Sequence, residues 1–114
     1  MKKAGLAVII AAGLAGSAAA ADRVAYQAIT AGDFAAAAQQ LESERRIYPQ
    51  RPELMLNLAA AYRGMGRLAE ARALYSAVLS RPAVMLDRPN GDPISSRDLA
   101  VVGLERTGAA LASR

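Results

Sequence analysis

An internal period of 34 residues is the feature that most constrains the fold of this chain. When the sequence is shifted by 34 positions against itself, residues of the same kind coincide: Gly32 with Gly66, Phe34 with Leu68, Ala37 with Ala71, Leu41 with Tyr75, Val24 with Leu58 and Ala25 with Ala59. A fixed period of this length is the signature of stacked supersecondary units. We therefore expect copies of one small unit, each packed against its neighbour.

The repeated unit is predicted to be helical. From Asp22 onward nearly every residue is a good helix former, the Val, Ile and Thr alternation of strands is absent, and Gly and Pro recur at intervals of about one helix length. Gly32 and Gly66 fall in tight turns between antiparallel helices, where a left-handed backbone favours glycine. The predicted fold class is all-α. The predicted helices cover residues 22–31, 34–48, 52–64, 68–81 and 96–107, with Asp33 and Ser96 as N-caps.

The second unit carries a specific pattern of apolar, small, aromatic, glycine and proline positions. It consists of Leu58, Ala59, Tyr62, Gly66, Leu68, Glu70, Ala71, Tyr75, Val78, Leu79 and Pro82. The pattern resembles the tetratricopeptide repeat, with the proline one residue earlier than usual. Residues 52–82 match well, and residues 22–49 match less well because Ala28 stands where Tyr62 supplies an aromatic ring. The resemblance implies antiparallel helix pairs in a short superhelix. Together with the export signal at the beginning of the chain, it predicts a small exported bacterial protein of this type.

A third unit is present only in part. Gly108 follows Gly66 by 42 residues, which is the 34-residue period plus eight inserted residues. Ser95, with Asp98 three residues later, predicts the start of a helix over residues 96–107. With no room for a partner helix after it, this helix is expected to cap the two repeats. The connector over residues 83–95 is predicted to be a spacer or a lid that contributes to binding.

The beginning of the chain has the order of charged, apolar and small residues that is typical of an export signal. Lys2 and Lys3 precede an apolar run that continues to about Leu14, and small residues follow up to Ala21. We therefore predict a signal peptide over residues 1–21, cleaved after Ala21 or the residue before it. A retained membrane anchor is the alternative. Glycines interrupt the run, however, and a span needs about 20 strongly apolar residues. The mature part is expected to be periplasmic or secreted, without a membrane association.

The composition argues against catalysis and against nucleic-acid binding. The chain contains neither His nor Cys, and both of its lysines lie in the predicted signal, so imidazole bases, thiol nucleophiles, ordinary zinc sites and Ser-Lys dyads are excluded. The chain has 14 Lys and Arg against 10 Asp and Glu, so the mature part without the two lysines has a net charge of +2. This charge is interspersed, which does not favour a nucleic-acid partner. We predict that the protein is not an enzyme.

Two groups of oxygen-bearing residues give no catalytic or metal site. Glu42 and Glu44 are two positions apart on a predicted helix and point to different faces, so they do not converge on a substrate. The segment from Asp87 to Asp92 only faintly resembles a calcium loop, because Pro89 stands where a ligand is required. We expect no metal and no other cofactor.

The family resemblance also implies where a partner binds. In tetratricopeptide repeats the first helix of each unit lines a concave groove. The corresponding positions here are Tyr26, Ile29 and Thr30 in the first unit and Glu53, Leu56, Asn57, Ala60, Arg63 and Gly64 in the second. Asn57 and Arg63 are expected to form a polar pair above an apolar floor, suited to an extended or helical peptide. The alternative for the apolar members is packing against neighbouring helices.

Two functions therefore compete. The first is a periplasmic interaction module that binds a protein or peptide partner in the groove. The second is a structural subunit, because two repeats and a cap are close to the lower limit of independent stability. Such a subunit would complete its core by homodimerisation or by docking into an envelope assembly. A melting temperature that rises with protein concentration would favour the second function.

Overall fold

The computed structural model describes residues 27–87 and 91–112. Residues 27–30 are helical, and the elements that follow are α1 (Phe34–Arg45), α2 (Pro52–Gly64), α3 (Leu68–Leu79), β1 (Met85–Asp87), β2 (Pro93–Ser95) and α4 (Ser96–Ala112). The all-α prediction is confirmed, since the two strands are a minor part. The predicted signal peptide and Tyr26 lie outside the described residues. Within the described ranges, no helix is long and apolar enough to cross a membrane.

The two helix turns are equivalent at the 34-residue shift. Gly32 and Gly66 both have a positive φ, 84° and 80°, which confirms the left-handed conformation predicted for them. In each turn the following residue donates a backbone hydrogen bond five positions back: Asp33 to Ala28 (2.8 Å) and Arg67 to Tyr62 (2.9 Å). This bond satisfies a carbonyl at the end of the preceding helix. The sequence period is therefore also a period in backbone hydrogen bonding.

The first turns of α1 and α3 are stabilised by different side-chain interactions. Asp33 is the N-cap of α1, as predicted, because its Oδ1 accepts a hydrogen bond from the Ala36 amide at 3.2 Å. The equivalent residue before α3 is Arg67, whose side chain makes no capping bond. Instead its guanidinium donates to both carboxylate oxygens of Glu70, at 2.6 and 2.5 Å. This exposed pair, one turn apart, stabilises the helix start without capping its backbone amides.

The core is organised around α2. This helix packs against α1, α3 and α4, and every residue from Leu54 to Tyr62 is buried. Ala37 on α1 and Ala71 on α3, which coincide in the internal alignment, are both fully buried. Small side chains at these positions let neighbouring helices approach closely. In the described part of the fold, helices therefore cover α2 on both sides, and α2 has no open face.

The connector contains a β-hairpin that the sequence does not predict. β1 and β2 are antiparallel, with Met85 opposite Ser95, Leu86 opposite Ile94 and Asp87 opposite Pro93. Strands of three residues are too short to show a period-two pattern, which is why the segment was expected to be only a spacer or lid. Leu86 is buried and belongs to the core cluster. The hairpin therefore attaches the connector to the helices.

The start of α4 is joined to the hairpin through its first residue. Ser95 has the predicted capping role, because its Oγ accepts a hydrogen bond from the Arg97 amide at 3.1 Å. The prediction that Ser96 is the N-cap is wrong. Ser96 is buried as the first residue of α4, and its Oγ accepts a bond from the Val84 amide at 3.0 Å. In return the Ser96 amide donates to the Val84 carbonyl at 2.8 Å.

The alignment of Gly108 with the turn glycines is wrong. α4 continues through Gly108 to Ala112, so the capping helix is longer than the predicted 96–107. The positive-φ glycines of the described chain are Gly32, Gly66 and Gly91. The small residue that packs between helices is Gly103, where a Cβ would overlap with the ring of Tyr75 on α3. Glycine is needed here for a close approach and not for a turn.

These two glycines provide a matched test on one helix. Gly103→Ala should lower the free energy of unfolding by about 1–3 kcal/mol, because the added methyl meets the buried ring of Tyr75. Gly108→Ala should raise it by about 0.5–1 kcal/mol, since nothing lies within 4 Å and alanine is the better helix former. Urea denaturation of both variants measures the difference. Equal stabilities would show that α4 does not pack on Tyr75 in solution.

Candidate interaction surfaces

The structure buries half of the predicted groove residues. Leu56 and Asn57 are 0% exposed and Ala60 is 1% exposed. The expectation that Asn57 lies at the surface beside Arg63 is therefore wrong, because α2 is enclosed by packing and Asn57 is part of its interior. Ile29 is also fully buried, in agreement with the packing alternative. A role of these residues in partner binding stays a prediction, and so does the role of Tyr26.

Glu53 is partly accessible at the first turn of α2. Its carboxylate lies 3.5 Å from the Arg51 guanidinium, and both side chains are less than a fifth exposed. Arg51 also stacks over the ring of Tyr48, with 5.6 Å between the guanidinium carbon and the ring centroid. An acidic group at this end of a helix interacts favourably with the helix dipole. Glu53 therefore has a local structural role in addition to any contact with a partner.

Arg63 lies in the last turn of α2 and is the other predicted groove residue of this helix that is partly accessible. Its Nη1 is buried and has no hydrogen-bond partner within residues 27–87 and 91–112. Burial lowers the pKa of Arg63. Tyr75 opposes this effect, while the positive charge of Arg106 adds to it. Arg63 therefore lies within electrostatic range of the Arg106 cation.

Tyr75 adds a second unsatisfied donor at the same place. Its side chain is fully buried, and among the described residues its hydroxyl has no hydrogen-bond partner. Burial raises the pKa of Tyr75, and both Arg63 and Arg106 act in the opposite direction. The sequence indicated Tyr75 only as an apolar core residue. Buried polar atoms are normally paired, so this hydroxyl requires an explanation.

A different polar cluster, which is fully paired, joins α1 to the turn between α2 and α3. The hydroxyl of Tyr62 donates to Glu42 Oε2 at 2.6 Å, and the Arg67 guanidinium lies 4.3 Å from the centre of the Tyr62 ring. Burial and the bond to Glu42 raise the pKa of Tyr62 to about 12. Glu42 is exposed, and its carboxylate also accepts this bond from Tyr62 across 20 positions of sequence.

A small cleft lies beside this cluster, between α1 and α3. It has a volume of about 220 Å³ and is lined by Arg45, Tyr62, Glu70, Ala73, Leu74 and Ala77. Ligand sites for small molecules usually measure about 300–1,000 Å³. The cleft is therefore too small to indicate such a site by itself. Among residues 27–87 and 91–112 there is also no group of three or more acidic, His or Cys side chains that could hold a metal ion.

The segments before α2 and in the hairpin expose large apolar side chains. Ile47 and Met85 are each 65% exposed. Met85 and Leu86 are adjacent in the connector, which is predicted to be a spacer or a lid. The structure separates them, because Leu86 points into the core while Met85 faces solvent.

Comparison with known families agrees with this architecture. Residues 28–83 match the family model described as tetratricopeptide repeat. This segment belongs to the tetratricopeptide repeat family. No curated protein and no solved structure matches it. The matched segment runs from the helical residues 27–30 to just beyond α3, so it covers both tetratricopeptide repeats and leaves out the hairpin and α4. Tetratricopeptide repeats generally mediate protein–protein interaction and are typically non-catalytic.

The burial of Asn57 leads to a test of the α2 interior. Asn57→Ala should lower the free energy of unfolding by about 1–3 kcal/mol, because it leaves a small void and disrupts buried polar contacts. Gln39→Ala, on the exposed side of α1, should change it by no more than about 0.5 kcal/mol. Chemical denaturation of the two variants provides the comparison. If Asn57→Ala is as harmless as Gln39→Ala, Asn57 faces an open groove in solution.

Proposed function

We propose that this chain is an exported tetratricopeptide-repeat module that binds a peptide or protein partner in the bacterial periplasm. The observation that carries the proposal is the family match over both repeats, since this family generally mediates protein–protein interaction. The order of residues 1–21 supports export. The absence of His and Cys from the sequence favours binding over catalysis.

Arg63 is the residue of α2 that we propose as the main contact for this partner. It occupies a groove position in the family pattern and keeps accessible surface, whereas Leu56, Asn57 and Ala60 are buried. Arginine is enriched among the residues that dominate binding energies, because it combines a planar donor set with a long apolar stem.

Substitution of Arg63 tests this surface. Arg63→Ala should weaken partner binding by about 2 kcal/mol or more, which is about thirtyfold. Its folded state should remain as stable as the wild type, since the change removes a half-buried cation without a paired acid. The measurement combines quantitative affinity purification from an envelope fraction with melting curves of the purified variants.

The matched control is Arg72→Ala on the exposed face of α3. Partners lost with Arg63→Ala and kept with Arg72→Ala support the proposed surface. Partners that both variants keep would exclude Arg63 as the main contact. Recovery of this chain alone, with a melting temperature that rises with concentration, would instead favour the homodimeric structural subunit.

Export has a separate test. The mature protein should begin at Asp22 or Ala21 and should fractionate with periplasmic proteins, because small residues precede this point as a signal peptidase requires. N-terminal sequencing of the expressed protein measures this directly. An intact Met1 in the membrane fraction would show that the segment is a retained anchor.

A further inference from the structure

The cleft between α1 and α3 combines an apolar interior with charged groups at its mouth. Three polar and three apolar residues line it: Arg45, Tyr62, Glu70, Ala73, Leu74 and Ala77. Arg45 and Glu70 are exposed and lie at the mouth, whereas Tyr62 and Leu74 are buried at the bottom. We refer to this site as the α1–α3 cleft. Because Arg63 does not line it, the cleft is separate from the surface proposed above.

The size of the α1–α3 cleft suits one side chain of a partner. Its volume of about 220 Å³ is below that of sites for drug-sized ligands. A cavity of about 150 Å³ in another protein is nevertheless large enough to hold one benzene ring. At protein interfaces, a few anchor side chains that fill such pockets supply most of the binding energy. The occupant that fits this volume is therefore an anchor side chain.

Two of the three polar residues of the cleft are held in place by the protein. The Tyr62 hydroxyl donates to Glu42 Oε2 at 2.6 Å, and the Arg67 guanidinium lies over the Tyr62 ring. The same guanidinium donates to both carboxylate oxygens of Glu70. These walls are thus fixed before a partner binds, which lowers the entropy lost on binding.

Arg45 is the polar residue of the cleft that is not held. Within residues 27–87 and 91–112, its side chain forms no hydrogen bond, ion pair or ring contact. Its position in the last turn of α1 gives the positive charge a favourable interaction with the helix dipole. That interaction does not occupy the flat face of the guanidinium. Arg45 is therefore available to a group that enters the cleft.

The charges at the mouth favour an uncharged aromatic ring. Arg45 repels an incoming cation and Glu70 repels an incoming anion, so a charged side chain of either sign is disfavoured. An aromatic ring has a negative face and a positive edge. Its face suits the Arg45 guanidinium, and its edge suits the Glu70 carboxylate. The Tyr62 ring at the bottom adds an edge-to-face contact.

We infer that the α1–α3 cleft binds one uncharged aromatic side chain of a protein or peptide partner. An aliphatic side chain would fill the same volume but would lack the contacts that the ring makes with Arg45 and Tyr62. The inference goes beyond the proposed function, because it adds a second contact surface that does not depend on Arg63.

Amides of single amino acids test the assignment. N-acetyl-phenylalaninamide supplies an aromatic side chain, N-acetyl-leucinamide an aliphatic one and the N-acetyl α-amide of glutamate an acidic one, while N-acetylglycinamide supplies the backbone alone. Each is titrated into the purified protein with isotope-labelled alanine and leucine methyl groups. The readout is the NMR signals of Ala73, Leu74 and Ala77, because an aromatic ring next to a methyl group shifts its resonance.

The phenylalanine amide should shift these methyl signals in a saturable manner and should bind several-fold more tightly than the leucine amide. The glycine amide should leave the signals unchanged. A leucine amide that binds as tightly would overturn the aromatic assignment. A glutamate amide that binds more tightly would identify Arg45 as part of an anion site and would also overturn it. The absence of any response to the phenylalanine amide would refute the cleft as a binding site.

A variant that fills the cleft provides the second test. Ala73→Leu adds a side chain at an exposed lining position, so it should melt like the wild type and yet abolish the response to the phenylalanine amide. Ala36→Leu is the matched control on α1. Residues nine positions apart on a helix point in opposite directions, so Ala36 faces away from the side of α1 that carries Arg45. Wild-type probe binding by Ala73→Leu would show that the probe binds elsewhere.

Substitutions at the end of α1 test the role of the cation. Arg45→Ala should weaken binding of the phenylalanine amide about two- to fivefold, as expected for loss of an exposed cation–π contact. Arg45→Lys keeps the charge without the planar face and should give an intermediate affinity. Arg46→Ala removes a charge from the same end of α1 but not from the cleft, so it should bind like the wild type. Equal losses in Arg45→Ala and Arg46→Ala would contradict a direct contact with Arg45.

Arg63→Ala separates this inference from the proposed function. Because Arg63 does not line the cleft, the variant should bind the phenylalanine amide as tightly as the wild type, even where it loses its partners. Full retention of partners together with specific probe binding would refute the Arg63 surface and support the cleft. Loss of probe binding in Arg63→Ala would place the probe outside the cleft and overturn the inference.

Discussion

The burial of α2 on all its sides is the constraint on which the rest of the structure depends. The chain has no cysteine, so the packing of apolar surface must supply its stability. An uninterrupted series from Leu54 to Tyr62 is buried between α1, α3 and α4. Such a helix has no polar stripe of its own, in contrast to an ordinary surface helix. Its contacts with solvent are therefore restricted to its two ends.

The burial of α2 explains why its polar side-chain contacts lie near its end. Tyr62 and Arg63 are consecutive near the end of α2, and consecutive residues point about 100° apart around a helix. Tyr62 is directed toward Glu42 on α1, while Arg63 is directed toward Tyr75 and Arg106 on α3 and α4. The first cluster includes its own carboxylates and holds the two repeats together. At the second, Arg63 Nη1 and the Tyr75 hydroxyl are buried without a hydrogen-bond partner among the described residues.

The hairpin and α4 close the end of the helix stack, and α4 also forms the side of the molecule next to Tyr75. Ser96 exchanges two hydrogen bonds with Val84, and the buried Leu86 attaches the hairpin to the core. With the beginning of α4 fixed in this way, Gly103 meets Tyr75 and Arg106 follows one turn later. A cap is needed because the last repeat would otherwise expose an apolar face. In this chain the cap lies outside the tetratricopeptide match and carries the exposed Arg106.

The sequence by itself determined the helical repeat, the turn glycines and the extent of α2, because these depend on interactions within a few residues of chain. Gly32, Gly66 and Asp33 have the predicted conformations for that reason. It did not determine the hairpin, whose strands are too short for a periodic signal. It also did not determine the role of Gly108, which the internal alignment places at a turn but which lies inside α4. The candidate site was decided by tertiary structure alone. Whether Asn57 is buried, and whether Arg63, Tyr75 and Arg106 converge, depends on how three helices pack, and no local pattern of residues encodes that arrangement.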